Sequence, residues 1–355
     1  MTSKKIVIGG KTIGHGEPVF IIAEAGVNNN GDLELAKKLV DVAVEAGADA
    51  VKFQTFTAEL LVTGTAEQAE YQTRNIGKTE SQFDMLKRLE LKSEYHQILI
   101  DYCKQKGIIF LSTPFAEANA DFLETLNIAA YKIPSGEINN IPYLRHIAKK
   151  GKPMIVSTGM ADLPETICAV KEIKAMGNHD IIVLHSTSNY PPSFGSLNLN
   201  VITTLRKELE PYDVTVGYSD NGSTGIVADI VATALGSTVI EKHYTLDKNM
   251  EGPDHKASLD PAELKAMVAA IRDAEVMLGS FEKQCTPEEI SIKTIARKSI
   301  ISKNSIAAGS EIKLEDLIMK RPGYGIPPTE IDSVVGKKAV HDIPADTLIK
   351  TEDLV

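Results

Sequence analysis

Short apolar runs rich in valine and isoleucine alternate with segments of helical period between residues 20 and 278. Each run is followed by a cluster of glycine, serine, threonine or asparagine, and then by apolar residues three or four positions apart, as in an amphipathic helix. The runs predict eight strands, at Phe20–Glu24, Ala50–Gln54, Ile108–Ser112, Ala129–Ile133, Pro153–Ser157, Ile181–His185, Val214–Tyr218 and Thr238–His243. The other segments predict eight helices, at Leu33–Ala46, Ser93–Gln105, Ala116–Leu126, Pro142–Lys150, Pro164–Met176, Asn198–Leu209, Gly225–Leu235 and Pro261–Leu278. This order predicts an α/β fold.

Eight strand–helix units in about 260 residues match the size of a (β/α)₈ barrel, the TIM barrel. The competing α/β architecture is an open, doubly wound sheet, which places a glycine-rich phosphate loop of the form GxGxxG after its first strand. The loop here reads EAGVNNNG over residues 24–31 and does not have that form. The pattern therefore favours a barrel domain over residues 1–279, with residues 1–18 as a hairpin-like extension in front of it.

The alternation of predicted strands and helices stops after residue 278. Residues 280–292 are polar and contain Pro287, and they predict a linker. Residues 293–355 contain short β-like runs at Lys298–Ser302 and Leu348–Lys350 and several turn signals, and they predict a second, small domain. Residues 58–92 are long for a connection between a barrel strand and its helix, and we expect them to form a lid or substrate loop.

Composition narrows the class of protein. The 355 residues carry 38 Lys and Arg against 48 Asp and Glu, a net charge of −10, which disfavours nucleic-acid binding. The three cysteines, Cys103, Cys168 and Cys285, form no CxxC pair, which disfavours a disulfide scaffold or a cysteine zinc site. Neither a signal peptide nor a membrane span is indicated, so we expect a cytoplasmic protein.

Two lysines are predicted to point into the barrel. In the second strand Lys52 and Gln54 alternate with the apolar Val51 and Phe53, and in the fourth Lys132 alternates with apolar neighbours. A buried lysine without an anion tends to lose its proton, because desolvation penalises the charged form. The two lysines therefore indicate a polyanionic ligand between them.

Hydroxyl-bearing residues follow successive predicted strands. Each could simply cap the next helix, but hydroxyls and amides at helix starts also bind phosphate and carboxylate oxygens. Together with the two lysines they predict an anion-binding cradle. The clusters are Ser112-Thr113, Ser135-Gly136, Ser157-Thr158-Gly159, Ser186-Thr187-Ser188 and Ser219-Asp220.

One histidine is a candidate metal ligand. His243 ends the eighth predicted strand two residues after Glu241, which alternation places on the inner face, and Glu24 ends the first strand. A single histidine without HxxxH spacing does not define a metal site.

Several longer strings occur at the predicted strand ends of the barrel region: EAGVN at 24–28, VKFQ at 51–54, LSTPF at 111–115, KIPSGE at 132–137, STGM at 157–160, YSD at 218–220, EKHYTLD at 241–247 and GPDHKAS at 252–258. Together they resemble the sialic acid (N-acetylneuraminate) synthase family, which includes the related legionaminate synthases. Residues 293–355, with ARKS at 296–299 and KRPG at 320–323, resemble the antifreeze-like (SAF) domain at the C-terminus of those enzymes.

The resemblance implies a metal-dependent condensation of phosphoenolpyruvate with an open-chain N-acetylated amino sugar and water. We expect N-acetylmannosamine as the acceptor, giving N-acetylneuraminate and phosphate. The alternative is a legionaminate synthase that uses a diacetamido-trideoxy hexose. The implied metal is divalent, Mn²⁺ in the first place and Mg²⁺ as the alternative.

Roles are implied for the positions that match the family strings. Glu24, Asp220 and Asp254 would be catalytic, with Glu24 orienting or deprotonating the attacking water. Gln54, Glu137 and Tyr190, together with Asp254, would bind the sugar, and Arg321 of a partner subunit would reach its acyl group in a domain-swapped homodimer. His243 and Asn221 would hold the metal. The residues implied to bind phosphoenolpyruvate are Lys52, Thr113, Lys132, Ser135, Ser157, Ser188 and Ser219.

The chain departs from the family at two places. Asn221 stands where members commonly have the second metal-binding histidine, and Asn28-Asn29-Asn30 stands where they commonly have Asn-His-Asn. An amide oxygen can bind Mg²⁺ or Mn²⁺, though more weakly than imidazole binds Mn²⁺. Two other functions stay open: a class I aldolase with a Schiff base on Lys132, and a metal-deficient, non-catalytic sugar-binding protein.

Overall fold

The computed structural model describes residues 4–76, 80–222 and 224–355 of the chain. They fall into two compact units, Met1–Gly279 and Ser280–Val355. In the described parts of the chain no helix is both long enough and apolar enough to span a membrane.

The first unit is a closed barrel of parallel strands, as the sequence pattern predicts. Each strand pairs with the next along the chain, and the last pairs with the first through partners such as His243 and Glu24. The strands are β3 (Phe20–Gly26), β4 (Ala50–Thr55), β5 (Ile109–Pro114), β6 (Tyr131–Ile133), β7 (Met154–Ser157), β8 (Ile181–Ser186), β9 (Thr215–Asp220) and β10 (Val239–His243).

Helices cover the outside of the barrel. The capping residues explain several boundaries: Asp32 accepts a hydrogen bond from the Leu35 amide at the start of the first helix, and Asp162 and Asp260 form capping boxes before helices that have proline in their first turn. The helices are α1 (Leu33–Ala46), α2 (Ala58–Leu61), α3 (Glu70–Ile76), α4 (Gln82–Leu89), α5 (Ser93–Lys106), α6 (Glu117–Thr125), α7 (Ile141–Ala148), α8 (Leu163–Ala175), α9 (Asn200–Glu208), α10 (Val227–Ala234) and α11 (Pro261–Leu278).

Alternation along the strands separates an inner from an outer core. Ile21, Val51 and Phe53 pack outward in the large cluster that includes the helices, whereas Phe20 and Ile22 pack in a smaller cluster inside the barrel. Because side chains alternate along a strand, every second residue after these inner positions also faces the interior. This parity places polar side chains at the C-terminal ends of the strands inside the barrel.

A short N-terminal hairpin closes the other end of the barrel. Strands β1 (Ile6–Ile8) and β2 (Lys11–Ile13) pair antiparallel, and Ile6, Ile8 and Ile13 are buried in the inner cluster with Phe20. Burial of each isoleucine contributes about 1.5–3 kcal/mol. The hairpin within the extension predicted over residues 1–18 therefore forms the floor of the inner core.

The long connection after β4 has its own small core. Helices α2 and α4 pack there through Met85 and Leu89 against Val27 and Phe56. Of the segment 58–92, residues 77–79 lie outside the described part of the chain. Its role as a lid stays a prediction.

The C-terminal unit contains helix α12 (Glu289–Ala296) and an antiparallel pair, β11 (Ser299–Ser302) and β12 (Leu317–Lys320). Its core is built mainly from isoleucines, among them Ile300 and Ile349. Helix α12 begins inside residues 280–292, so part of the predicted linker is helical. The β-like run predicted at 348–350 forms one isolated bridge, from Leu348 to Ile301, and not a strand.

Candidate active site

Lys52 and Glu24 form an ion pair inside the barrel. Lys52 Nζ lies 2.6 Å from Glu24 Oε2 and donates a hydrogen bond to Thr113 Oγ1 at 2.8 Å. All three side chains are buried and lie on neighbouring strands, β3, β4 and β5. The inward direction predicted for Lys52 is what brings them together.

Lys132 lies in the same interior. Its Nζ donates to Ser157 Oγ at 2.7 Å and lies 3.4 Å from Glu241 Oε1, which is also 3.8 Å from Lys52 Nζ. Ser219 Oγ donates to the same glutamate oxygen at 3.0 Å. One carboxylate therefore lies between the two ammonium groups, at the position expected for a ligand anion.

Burial and mutual charge set the ionisation of this group. Burial raises the pKa of Glu24 to about 7, against the opposing charge of Lys52. Burial lowers the pKa of Lys132, while Glu241 opposes that shift. Burial alone would raise the pKa of Glu241, but the charges of Lys132 and Lys52 outweigh it and hold the pKa below its usual value. The site thus combines two lysines with two carboxylates of different acidity, because the pKa of Glu241 is lowered and that of Glu24 is raised to about 7.

A second cluster is made of serine hydroxyls around Gly159. Ser135 Oγ accepts a hydrogen bond from the Gly159 amide at 3.0 Å and lies 3.2 Å from Ser186 Oγ. A Cβ at position 159 would lie 2.7 Å from Ser135 Oγ and 3.0 Å from Ser186 Oγ, and it would collide with Ser188 Oγ. Three hydroxyls and one backbone amide therefore surround a space that only glycine leaves open.

His243 and Asn221 follow neighbouring strand positions. Asp220, the last residue of β9, pairs in register with Lys242 of β10. The residues that follow them, Asn221 and His243, are therefore neighbours at the same end of the barrel. His243 is buried, and its Nδ1 has no hydrogen-bond partner in the described structure. Burial lowers the pKa of His243, although the charge of Asp254 opposes this shift. The lowered pKa favours the neutral imidazole, which is the form that binds a metal.

These donors fit a divalent cation with two protein ligands. Asn221 Nδ2 donates to the Thr187 carbonyl at 2.9 Å, which leaves the amide oxygen as the free ligand atom. Within the described residues no three His, Cys, Asp or Glu side chains form a complete metal site. Water or substrate oxygens would have to complete the coordination.

Asp254 lies on the loop after β10 and is held there by the asparagines after β3. Asn28 Nδ2 donates to the Tyr244 carbonyl at 2.8 Å and to Ser258 Oγ at 2.9 Å, and Ser258 Oγ donates to the Asp254 carbonyl. Burial raises the pKa of Asp254, against the charge of His243.

The other two asparagines also have structural contacts. Asn29 Oδ1 accepts from the Gly31 amide and Asn29 Nδ2 donates to the Gly26 carbonyl, which closes the turn after β3. Asn30 Nδ2 donates to the Glu251 carbonyl. Asn28 and Asn30 therefore fasten the loop that carries Asp254 to the top of the barrel, and Asn29 holds the turn from which they extend.

Three of the predicted sugar contacts, Gln54, Glu137 and Tyr190, belong to the barrel unit and lie at or after the ends of its strands. Gln54 Nε2 is 3.4 Å from Glu24 Oε1, and the Tyr190 ring lies edge-on to His243 with centroids 5.7 Å apart. Glu137 is half-buried and accepts a hydrogen bond from Asn140. Arg321 is exposed and belongs to the C-terminal unit.

Asp220 points away from the two lysines of the interior. Its side chain lies on the outward face of β9, the face of Val216 and Tyr218. Its Oδ2 lies 2.7 Å from Lys242 Nζ, and that Nζ is also 3.5 Å from Asp229 Oδ2 of α10. His185 likewise has the parity of the outer residue Val183, and its Nε2 is 2.7 Å from the Leu197 carbonyl. Both residues lie in the last two positions of their strands, but the alternation of side chains turns them toward the helices.

Two residues of the site received no individual catalytic or binding role from the sequence, although Glu241 was placed on the inner face of its strand and Ser186 in the anion-binding cradle. Glu241 has inner parity on β10 and lies between the lysines, and Ser186 has inner parity on β8 and faces Ser135. The period-two pattern that identifies Lys52 and Lys132 was the available signal for both.

Comparisons with known proteins agree with this architecture. A model described as the NeuB family matches residues 39–283, and one described as the SAF domain matches residues 297–355. The N,N'-diacetyllegionaminic acid synthase of Legionella pneumophila is 46% identical, with 100% of this chain and 99% of that protein aligned. The Campylobacter jejuni protein of the same name is 44% identical, over 93% of this chain and 98% of its own length.

A solved structure extends the comparison to three dimensions. The N-acetylneuraminic acid synthetase of Leptospira borgpetersenii, in complex with citrate, has a TM-score of 0.72 and 33% identity, over 82% of this chain and 95% of that one. The family model covers most of the barrel, and two relatives above 40% identity align with nearly the whole chain. The chain therefore is an enzyme of the NeuB family of nonulosonate synthases and ends in a SAF domain.

Proposed function

We propose that this enzyme condenses phosphoenolpyruvate with the aldehyde of an open-chain acetamido sugar and adds water, forming a nonulosonate and releasing phosphate. The observation that carries the proposal is the pair of buried ammonium groups, Lys52 and Lys132, beside hydroxyl donors at the C-terminal ends of the strands. Such preorganised donors stabilise a trianionic substrate and its transition state in a low-dielectric site. The polyanion expected from the sequence would contact these donors at the strand ends, since Glu241 already lies between the two ammonium groups.

In the proposed reaction, carbon 3 of phosphoenolpyruvate forms a bond to the sugar aldehyde carbon, and the aldehyde oxygen takes a proton. Lys52 and Lys132 neutralise the carboxylate and phosphate. Glu24 accepts a proton from the water that adds to carbon 2, consistent with a pKa of about 7. The bond between carbon 2 and the bridging oxygen then breaks, its electron pair goes to that oxygen, and the proton of the carbon 2 hydroxyl passes to the departing phosphate, which leaves a ketone and hydrogen phosphate. Glu24 returns its proton to solvent, which balances the proton that the aldehyde oxygen took from solvent.

His243 and Asn221 would hold a divalent cation, Mn²⁺ or Mg²⁺. When bound there it supplies Lewis-acid polarisation of the sugar carbonyl. Tyr190, whose ring contacts His243, would orient the sugar beside these ligands. Asp254 would hold a sugar hydroxyl, because its loop is fastened by Asn28 and Ser258.

For the acceptor we propose a diacetamido-trideoxy hexose, which gives a legionaminate, over N-acetylmannosamine. Two relatives named as legionaminic acid synthases are 46% and 44% identical to this chain, whereas the sialic acid synthetase structure is 33% identical. A direct competition between the two sugars at equal concentration tests the choice. We expect the diacetamido sugar to be consumed first, and preferential use of N-acetylmannosamine would reverse the proposal.

We further propose a homodimer in which Arg321 of one chain completes the barrel site of the other. A run of exposed apolar side chains near the boundary of the two units, Val276, Met277 and Phe281, supports burial against a second copy. Mixing the Lys52→Gln and Arg321→Ala variants tests the exchange. Reassorted dimers regain activity if one intact site forms from both chains, and no recovery contradicts the exchange.

Phosphate release separates the proposed function from its alternatives. We expect release only when both substrates and a divalent metal are present. Borohydride in the presence of pyruvate should not label the protein, whereas a labelled Lys132 would indicate a Schiff-base aldolase. Sugar binding without any phosphate release would indicate a non-catalytic protein.

A further inference from the structure

Ser186 is a buried hydroxyl of the predicted anion-binding cradle that has no individual role so far. It is the last residue of β8, is 6% exposed, and pairs in register with Ser219. On the flanking strands Ser157 accepts from Lys132 and Ser219 donates to Glu241. Ser186 instead faces another hydroxyl, Ser135 Oγ, at 3.2 Å.

The hydrogen-bond capacity of Ser135 decides what that contact does. A serine hydroxyl has one donor and two acceptor positions. The Gly159 amide donates to Ser135 Oγ at 3.0 Å and occupies one acceptor position. When Ser186 donates into the second, Ser135 can only donate, so its proton points to whatever acceptor lies in the cluster.

We infer that Ser186 is a positioning residue that fixes the Ser135 hydroxyl as a donor to the phosphoryl group of phosphoenolpyruvate. The inference rests on the proposed function, because the ligand it requires is the phosphate end of that substrate. Phosphoryl oxygens are strong acceptors, so a hydroxyl that can only donate is matched to them. The Gly159 backbone, where a Cβ would fill the space between the hydroxyls, lets the ligand approach.

The test is steady-state kinetics of the full-length Ser186→Ala variant with its divalent metal. We expect the KM for phosphoenolpyruvate and the inhibition constant of inorganic phosphate each to rise about tenfold, because the Ser135 hydroxyl is then no longer held as a donor to the charged phosphoryl group. The KM for the sugar and kcat should stay within about twofold. The lost contact binds the ground state and the transition state of phosphoenolpyruvate equally, so its loss raises only the KM for phosphoenolpyruvate. Ser237→Ala, which removes a buried hydroxyl just before β10, at the other end of the barrel, is the matched control and should change neither constant.

A double-mutant cycle with Ser135→Ala separates positioning from direct binding. If Ser186 acts through Ser135, the double variant binds phosphate no more weakly than Ser135→Ala alone. Additive losses, or an unchanged phosphate inhibition constant in Ser186→Ala, overturn the inference. Should Ser186→Ala fail to fold, Ser186→Cys keeps a weak donor of similar size and should give a smaller rise.

Measurements on the wild-type enzyme show whether only the inference about Ser186 fails or the proposed function fails as well. Phosphate release that requires both substrates, together with an unaltered Ser186→Ala variant, rejects the role of Ser186 alone. Absence of any phosphate release or phosphate inhibition in the wild type rejects the proposed function and this inference with it.

Discussion

Lys132 Nζ lies 3.4 Å from Glu241 Oε1, with both side chains buried inside the barrel. The same oxygen lies 3.8 Å from Lys52 Nζ. Without a ligand, the two ammonium groups are therefore balanced by internal carboxylates, Glu24 and Glu241. A buried charge left without a partner is costly, so each lysine side chain has an acidic partner inside the barrel.

Removing one of the two cations should abolish most of the substrate affinity. For Lys132→Gln we expect kcat/KM for phosphoenolpyruvate to fall by about 100-fold or more, the size of a lost preorganised charge contact. Lys149→Gln, an exposed lysine next to α7, is the charge-matched control and should retain activity. A Lys132→Gln enzyme with wild-type kcat/KM would remove this lysine from the substrate site.

The pKa of Glu24 predicts the acidic limb of the pH profile. Because burial raises this pKa to about 7, the carboxylate is protonated below that pH and cannot accept a proton from water. We expect kcat/KM to rise with pH and level off above about 7 as the base form fills. Glu24→Gln should lose this limb together with most of the activity, and an unchanged limb in the variant would assign it to another group.

Gly159 should be irreplaceable for function but not for folding. A Cβ there meets the ends of Ser135, Ser186 and Ser188, which can rotate away at low cost to stability. For Gly159→Ala we expect the KM for phosphoenolpyruvate to rise about tenfold or more with a nearly unchanged Tm. Gly195→Ala is the control, because a Cβ at that position meets nothing within 4 Å. Equal behaviour of the two variants would contradict the hydroxyl cluster as a binding site.

Asn221→His should strengthen metal binding. An imidazole is the better ligand for Mn²⁺, so we expect the dissociation constant measured by titration calorimetry to fall by about tenfold or more. His243→Ala should weaken binding in the same assay. An unchanged constant in Asn221→His would place Asn221 outside the coordination sphere.

Strand parity explains what could be predicted from the sequence. Lys52 and Lys132 alternate with large apolar residues, and those neighbours pack under the helices, so the inward direction of the lysines follows from the sequence. The same rule would have turned Asp220 and His185 outward, since each shares parity with residues of the outer core. Position at a strand end was a weaker guide than the face of the strand.

Contacts between distant loops could not be predicted in this way. Asn28 and Asn30 reach residues more than 200 positions away, and Ser186 meets Ser135 across two strands. Such pairs depend on loop conformations that are set by the closed barrel and leave no local pattern in the sequence. The start of α12 within the predicted linker was missed because polar composition alone does not exclude a short helix.

Phosphate release from phosphoenolpyruvate carrying ¹⁸O in the bridging position tests the central claim most directly. Attack of carbon 3 on the sugar followed by cleavage between carbon 2 and the bridging oxygen transfers the label to phosphate. The account predicts that labelled phosphate appears only when sugar and phosphoenolpyruvate are both present. Unlabelled phosphate, or release from phosphoenolpyruvate alone at the same rate, would contradict it.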